Sequence, residues 1–512
     1  MNKIGFTNFR RFIKFEPIEF KGITFLVGRN NSGKSTLEKA LLLVNDFFKS
    51  GNISTFSFGN LSLEDANIVT FGRAKNNKTN EDWIAFDYHI HQYTAEIVMS
   101  GDDDKTFADV HTLLITDTYR NLNFLFEPIN QRISIYKEKV DDPGLEANRI
   151  ESIKLLNSEI NRLQLLSEDF NVKVSSKEFV GIFSELNALK KRKKTLENNK
   201  PAKESENEYH IVNESFINDW NMKEIIDFTI TDSIKIHDRE FMEIQNGKES
   251  SIRFENFRAF KIDAAMIQES FDGFYKYIMS SSLIYLGANP SKQSALFLIR
   301  DRTNALAQAI HEFYQLRILP GEKAFEFVEK WMKIFEVGAS FEVFIHGGEA
   351  YEIKIASNDT MIHLSDKGMG SIQAMLLLLR LASVIHKRGF FKQPATVIIE
   401  EPELNLHPAL QSKLADMFLA LNQEFQINFI IETHSEYLLR RSQVLVAQNE
   451  FEVKPNENPF CAYYFPNEEG QQPYRLEYNE HGVFNKNFGE GFFDEASAST
   501  LELLKLQRQK KA

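Results

Sequence analysis

The run Gly28-Arg29-Asn30-Asn31-Ser32-Gly33-Lys34-Ser35 fits the spacing G-x-x-x-x-G-K-[ST] without deviation, and Thr36 follows it. Glycines at the first and sixth positions let successive backbone N–H groups point inward at phosphate oxygens. Lys34 supplies a positive charge for the β- and γ-phosphates, and Ser35 a hydroxyl ligand for magnesium. A helix opening at Ser35 adds the positive end of its dipole. Gly28, Asn30, Asn31, Ser32, Gly33, Lys34, Ser35 and Thr36 are therefore the expected phosphate cradle, with ATP and Mg2+ as the expected ligands.

Three further clusters could complete such a site. In Val397-Ile398-Ile399-Glu400-Glu401-Pro402-Glu403-Leu404-Asn405-Leu406-His407-Pro408, an apolar run delivers carboxylates at its C-terminal end. One carboxylate there can hold magnesium and the next can polarise an attacking water. Glu400 takes the first role and Glu401 the second, although most such strands carry Asp where Glu400 stands. Glu432-Thr433-His434-Ser435 follows another apolar run, and His434 there can hydrogen-bond a γ-phosphate or the attacking water. Leu364-Ser365-Asp366-Lys367-Gly368-Met369-Gly370-Ser371 opens an apolar helix, so small residues at 365, 368, 370 and 371 make an anion-binding N-terminus.

These residues need strands ending at the right edge and helices behind them. Ile4 to Phe9 and Ile18 to Phe20 read as short strands, and Ile23-Thr24-Phe25-Leu26-Val27 as a buried one. Leu37, Ala40, Leu41, Val44 and Phe48 recur at helical spacing after the glycine loop. Residues 51–130 suggest antiparallel strands on one lobe. Ile153, Leu156, Ile160 and Leu163, then Phe183, Leu186, Leu189 and Leu196, predict a helical hairpin, since two or three heptads are too few for a long coiled coil. Leu283–Gly287, Thr396–Ile399 and Ile427–Ile431 predict buried strands, 303–336 helix, 341–356 strands and Gly368–Ile385 an apolar helix. The expected organisation is an N-terminal lobe over 1–135, a hairpin over 136–208, a mixed β-lobe continuation over 209–282 and a C-terminal lobe over 283–512.

At 512 residues, with 43% hydrophobic and 26% charged residues, the chain has the composition of a globular protein with two or three domains. No run of about 18 uncharged apolar residues occurs, and the N-terminus lacks a signal-peptide pattern, so a cytoplasmic protein without membrane contact is expected. A single cysteine, Cys461, excludes an intrachain disulfide and a Cys-based zinc site. The net charge of -12 gives no blanket affinity for nucleic acid, but Lys190-Lys191-Arg192-Lys193-Lys194 and the tail at 507–511 are basic, which keeps DNA among the candidate partners.

The order of P-loop, glycine-rich helix start, Glu-Glu-Pro-Glu strand and Thr-His-Ser resembles ABC-class ATPase heads. Within that class it is most similar to the overcoming-lysogenization-defect (OLD-like) group and, more distantly, to SMC heads. Asn8-Phe9-Arg10, the P-loop, Glu401–Pro408, Glu432–Glu436 and Gly491-Phe492-Phe493-Asp494-Glu495 carry the resemblance. It implies an α/β fold: an ABC-type P-loop ATPase head with a mixed sheet, an antiparallel β lobe and an inserted helical arm. It implies ATP sandwiched in a homodimer, or a higher oligomer of dimers, with the signature region of one head on the γ-phosphate of the other. Alignment on Leu364-Ser365 makes Ser365 that ligand, alignment on the following helix makes it Gly370 and Ser371, and both alignments stand. OLD-type nucleases carry a Toprim domain after the ATPase, and the 78 residues beyond His434 are too few for one. The resemblance to Toprim-less relatives, the Septu, retron-associated and PARIS ATPases, implies antiviral defence with a separate effector such as a nuclease. An SMC-like ATP-dependent DNA-binding or repair protein is the alternative. An ABC-transporter subunit fits poorly, because the insertions between P-loop and carboxylates are too large.

Overall fold

The computed structural model describes residues 2–60, 68–130, 132–137, 222–227, 253–288, 294, 296–301, 304–357, 360–391, 395–448, 458–468, 470–486, 488 and 502–503. The expected hairpin over 136–208, with its basic stretch, falls outside these residues apart from its first two positions. The segment 491–495 and the tail at 507–511 also lie outside them.

The chain begins with β1 (Asn2–Phe9), β2 (Phe12–Phe20) and β3 (Ile23–Gly28), then α1 (Lys34–Ser50). Gly51 closes α1 in the left-handed conformation, the usual glycine stop. Then come β4 (Thr55–Ser57), β5 (Trp83–Ile90), β6 (Tyr93–Ser100), β7 (Phe107–Asp117), β8 (Leu122–Glu127) and β9 (Arg132–Lys137). All of these strands except β3 form one eight-stranded sheet in the order β2-β1-β5-β6-β7-β8-β9, with β4 paired to β7, and every pairing in it is antiparallel. This is the expected antiparallel lobe.

The second half holds α2 (Arg253–Ser280), β10 (Ser282–Leu286), β11 (Phe297–Leu298), α3 (Ala305–Gln315) and α4 (Lys323–Ile334). It continues with β12 (Ser340–His346), β13 (Ala350–Ser357), β14 (Thr360–His363), α5 (Met369–Phe391) and β15 (Ala395–Glu400). Last come α6 (Pro408–Phe425), β16 (Ile427–Glu432), α7 (Glu436–Gln448), β17 (Phe460–Phe465) and β18 (Tyr474–Leu476). The six-stranded sheet runs β10-β15-β16-β3-β17-β18, parallel except at β18.

Two sequence expectations change. The helix expected over 303–336 is two, α3 and α4, because the chain turns between them with Gly321 at φ 89°. The strand at 283–287 is β10, but its residues are half-buried, and among the described residues it forms an edge of the sheet beside β15.

Alternation along the parallel strands divides the core in two. Ile23, Phe25, Val27, Val397, Ile399, Phe429 and Ile431 face a helical layer that includes α3–α7. Leu26, Ile398, Ile430 and Tyr463 face the opposite way, toward α1, α2 and the antiparallel sheet. α5 is long and apolar enough to cross a membrane by length and composition, but 72% of its most apolar window is buried in this core, where α3 and α4 pack on it.

Phe56 of β4 ties α1 to the antiparallel sheet in the second half of the core. Its ring stacks on Phe47 of α1 at 5.1 Å and on Phe86 of β5 at 5.5 Å, and it is fully buried. Phe56→Ala should lower unfolding stability by about 3–5 kcal/mol, read from chemical denaturation.

Candidate functional site

The phosphate loop follows β3 directly. Gly33 sits at φ 106°, and a Cβ there would reach within 2.5 Å of the Phe12 ring, so only glycine lets the loop turn into α1 under that ring. Lys34 is almost fully buried and donates from Nζ to the carbonyls of Gly28 at 2.9 Å and Arg29 at 3.0 Å. Its ammonium also lies 3.5 Å from Glu432 Oε1. Ser35 donates its hydroxyl to Glu432 Oε2 at 2.9 Å. Ser32 and Thr36 are buried, and the Thr36 amide donates to the Gly33 carbonyl at 3.1 Å. Asn30 and Asn31 are exposed at the loop tip, where Arg11 donates to the Asn31 carbonyl.

Parallel register brings the carboxylates to the same edge. β15 and β16 pair with Glu400 opposite Glu432, and Glu432 lies opposite Leu26, two residues before the loop begins at Gly28. Ligands in open parallel sheets bind beyond the carboxyl ends of the strands, which is where these groups lie. Glu38, one helical turn after Lys34, completes the group: single oxygens of Glu38, Glu400 and Glu432 all lie within 4.8 Å of one another. Burial pushes the Glu38 carboxyl well above its ordinary range, and the charges of Glu432 and Glu400 and a hydrogen bond with Glu400 add to this against Lys34. Burial raises Glu432 as well, against the opposing pull of Lys34 and Ser35. The donors are all oxygen and mostly anionic, a set that fits a hard cation such as Mg2+. Glu400 and Ser35, the residues expected to hold the metal, both belong to this neighbourhood.

Glu401 follows with φ 45°, a left-handed conformation that non-glycine residues adopt at a cost of about 1–3 kcal/mol. Its amide donates to the Glu432 carbonyl at 2.8 Å, which locks the turn onto β16. His434 Nε2 lies 3.7 Å from Glu401 Oε1. The His434 amide donates to Glu403 Oε1 at 2.7 Å, and the Thr433 amide donates to the Leu26 carbonyl at 3.1 Å. Burial, helped by the charge of Lys34, pulls the His434 imidazole down to about 4, so the ring is neutral near pH 7.

The four small residues at the start of α5 occupy a separate position. Ser365 lies on a single 3-10 turn, Leu364–Asp366, and donates to Asp366 at 3.4 Å. Gly368 is exposed and its carbonyl accepts from the Ser371 amide at 2.9 Å. Gly370 packs on the chain after Glu401: a Cβ there would come within 2.7 Å of the Asn405 carbonyl.

Three residues of the site were absent from the sequence expectations as functional groups: Glu38, Glu403 and Glu432. Glu432 had a signal, because Ile430-Ile431-Glu432 repeats Ile398-Ile399-Glu400, an apolar strand ending in glutamate. Glu403 lay inside a motif but reads as a turn residue until His434 is folded against it. Glu38 had only its spacing of four from Lys34.

A strand, a phosphate loop, a helix and strand-end carboxylates in this arrangement define a P-loop ATPase head of α/β architecture. The chain belongs to the AAA ATPase domain family, AAA_15, whose model matches residues 1–439. No curated protein matches the sequence. Among solved structures the chain is similar to the Smc head domain with an extended coiled coil bound to the C-terminal domain of ScpA from Pyrococcus furiosus, at 13% identity and TM-score 0.33, covering 99% of this chain and 100% of that one. It is also similar to the Smc head domain with a coiled coil and joint from Pyrococcus yayanosii, at 11% identity and TM-score 0.35, covering 93% and 98%.

The depressed imidazole has a measurable consequence. The unfolded chain protonates His434 near its ordinary 6.5 and the folded chain only near about 4, so the unfolded state binds more protons between these values. Stability from this residue is therefore lost as pH falls from about 6.5 to about 4. The raised Glu38, Glu403 and Glu432 act with the opposite sign. Melting temperatures of wild type and His434→Gln should therefore differ by a constant amount above about pH 7 and shift in favour of the variant below about pH 6.

Proposed function

We propose that this chain binds and hydrolyses ATP at a site shared by two subunits, and that the cycle governs a separate effector in antiviral defence. The observation that carries the catalytic part is the convergence of Lys34, Ser35 and Glu400 with the Glu401–His434 pair at 3.7 Å. Lys34 exchanges its bonds to the Gly28 and Arg29 carbonyls for phosphate oxygens, while amides of the glycine loop and the start of α1 approach the same group. Ser35 and Glu400 hold Mg2+, which when bound neutralises charge on the β- and γ-phosphates. Glu401 accepts the proton of the attacking water, with its carboxylate 3.7 Å from the His434 ring. His434, neutral and held by Glu403 through its own amide, presents a ring nitrogen to that water or to the γ-phosphate.

In this reading Ser365, Gly368, Gly370 and Ser371 serve the partner's nucleotide rather than their own, which makes a homodimer, or an oligomer of dimers, the working unit. The defence role rests on the resemblance carried by Glu401–Pro408 and Glu432–Glu436. An effector of nuclease type follows from the same resemblance. The DNA-binding alternative rests on Lys190–Lys194. ATP-dependent DNA binding that disappears when all five become alanine favours that alternative, and co-purification of a neighbouring gene product favours the effector reading.

Two substitutions test the chemistry. Lys34→Ala should abolish binding of a fluorescent ATP analogue. Glu401→Gln should keep that binding, lower phosphate release by about 10²–10⁴-fold, and shift the protein to a dimer in light scattering when ATP is present. Wild-type turnover by Glu401→Gln removes Glu401 from the mechanism.

A further inference from the structure

A P-loop cation is ordinarily held by one hydroxyl, one carboxylate and the phosphates themselves, so metal and nucleotide arrive together. Here two more carboxylates face the same point. Glu38, Glu400 and Glu432 each place one oxygen within 4.8 Å of the other two. Opposite ligands around a six-coordinate ion with metal–oxygen distances of about 2.1–2.4 Å are separated by about that much. The three come from separate elements, α1, β15 and β16, and the in-register pairing of Glu400 with Glu432 fixes two of them on neighbouring strands.

Glu38 sets this cluster apart from an ordinary acidic surface. It is fully buried, and as a carboxylate neither of its oxygens finds a hydrogen-bond donor. A carboxylate in that position is costly unless another charge compensates it. Among the described residues Lys34 is the cation within ion-pair distance of the cluster, at Glu432, and two loop carbonyls share its ammonium. Lys39 attracts Glu38 and Glu400 from farther off. With all three ionised, the carboxylates outnumber the nearby ammonium groups of Lys34 and Lys39, an excess of negative charge that a divalent cation removes and that protonation otherwise relieves. The Ser35 hydroxyl, 2.9 Å from Glu432, adds a fourth oxygen.

We propose that Glu38, Glu400, Glu432 and Ser35 form a site that binds a hard divalent cation, of the Mg2+ or Mn2+ class, before nucleotide arrives. The inference rests on the assignment of Ser35 and Glu400 as the cation pair and adds Glu38 and Glu432 to it. The two added carboxylates supply the negative charge that phosphates supply elsewhere, so the site fills in nucleotide-free protein.

Mn2+ titration of the full chain without nucleotide, followed by electron paramagnetic resonance, tests this. Wild type should take up about one Mn2+ per chain, and Glu38→Gln and Glu432→Gln should each weaken the uptake by about ten-fold or more while melting cooperatively. Glu38→Gln keeps shape and volume, and Glu432→Gln carries the comparison if the first variant does not fold. Free-Mn2+ spectra from nucleotide-free wild type, or wild-type affinity in a folded variant, overturns the proposal. A fluorescent ATP analogue added to the same wild-type sample separates the two readings. ATP binding without prior Mn2+ uptake rejects the cation site and leaves the nucleotide site standing, and Mn2+ uptake without ATP binding does the reverse.

Discussion

The site depends on the parallel pairing of β3, β15 and β16. Pairing Glu400 with Glu432, and Glu432 with Leu26, leaves three strands ending together at one edge. A slip of one residue in β16 would turn Glu432 and its apolar neighbours to the opposite face and pull Thr433 and His434 off their contacts with Leu26 and Glu403. The apolar alternation that fills the two core layers is therefore also what aims the polar groups. Packing and chemistry share one register.

Charge at that edge follows from burial. Glu38, Glu403 and Glu432 move up and His434 moves down, all with burial as the leading cause, so each group favours its neutral form. Lys34 has two effects on this set: it opposes the rise of the two glutamates nearest it and adds to the fall of His434. One buried ammonium thus links the phosphate loop, the carboxylates and the histidine electrostatically. Any ligand that takes the ammonium away changes all three.

Much of this was legible in the sequence because local patterns and glycines mark it. The run Ile23–Val27 between Gly22 and Gly28, the helical spacing after Lys34, and Val397–Ile399 before Glu400 each carry their own signal, and each lies in the element expected. Partner count does not show in such a run, so β10 reads as buried and proves to be an edge among the described residues. The break between α3 and α4 was missed because Gly321 interrupts an amphipathic pattern that resumes immediately. Glu38 is the clearest limit. An acidic residue on a helix is ordinarily a solvated one, and only the folded position of β15 and β16 makes this one a member of the site.

The loop between β15 and α6 joins the two kinds of expected site residue within one chain. Glu401 and Asn405 both hold left-handed backbones, at φ 45° and 61°, and turns close from Leu404 to Glu401 and from Leu406 to Glu403. Gly370 touches this loop at the Asn405 carbonyl, and Glu401 and Glu403 hold its other end to β16 and His434. The start of α5 is thus separated from Glu401 by one short, strained and hydrogen-bonded segment. Strain persists at such positions only while the surroundings impose it, so a displacement of α5 relaxes or tightens the backbone that aims Glu401. Coupling of this kind needs two arrangements of the segment, each favoured by a different state of the α5 terminus. If the terminus engages a nucleotide on a second subunit, the same contact that completes that subunit's site also sets the aim of this chain's Glu401.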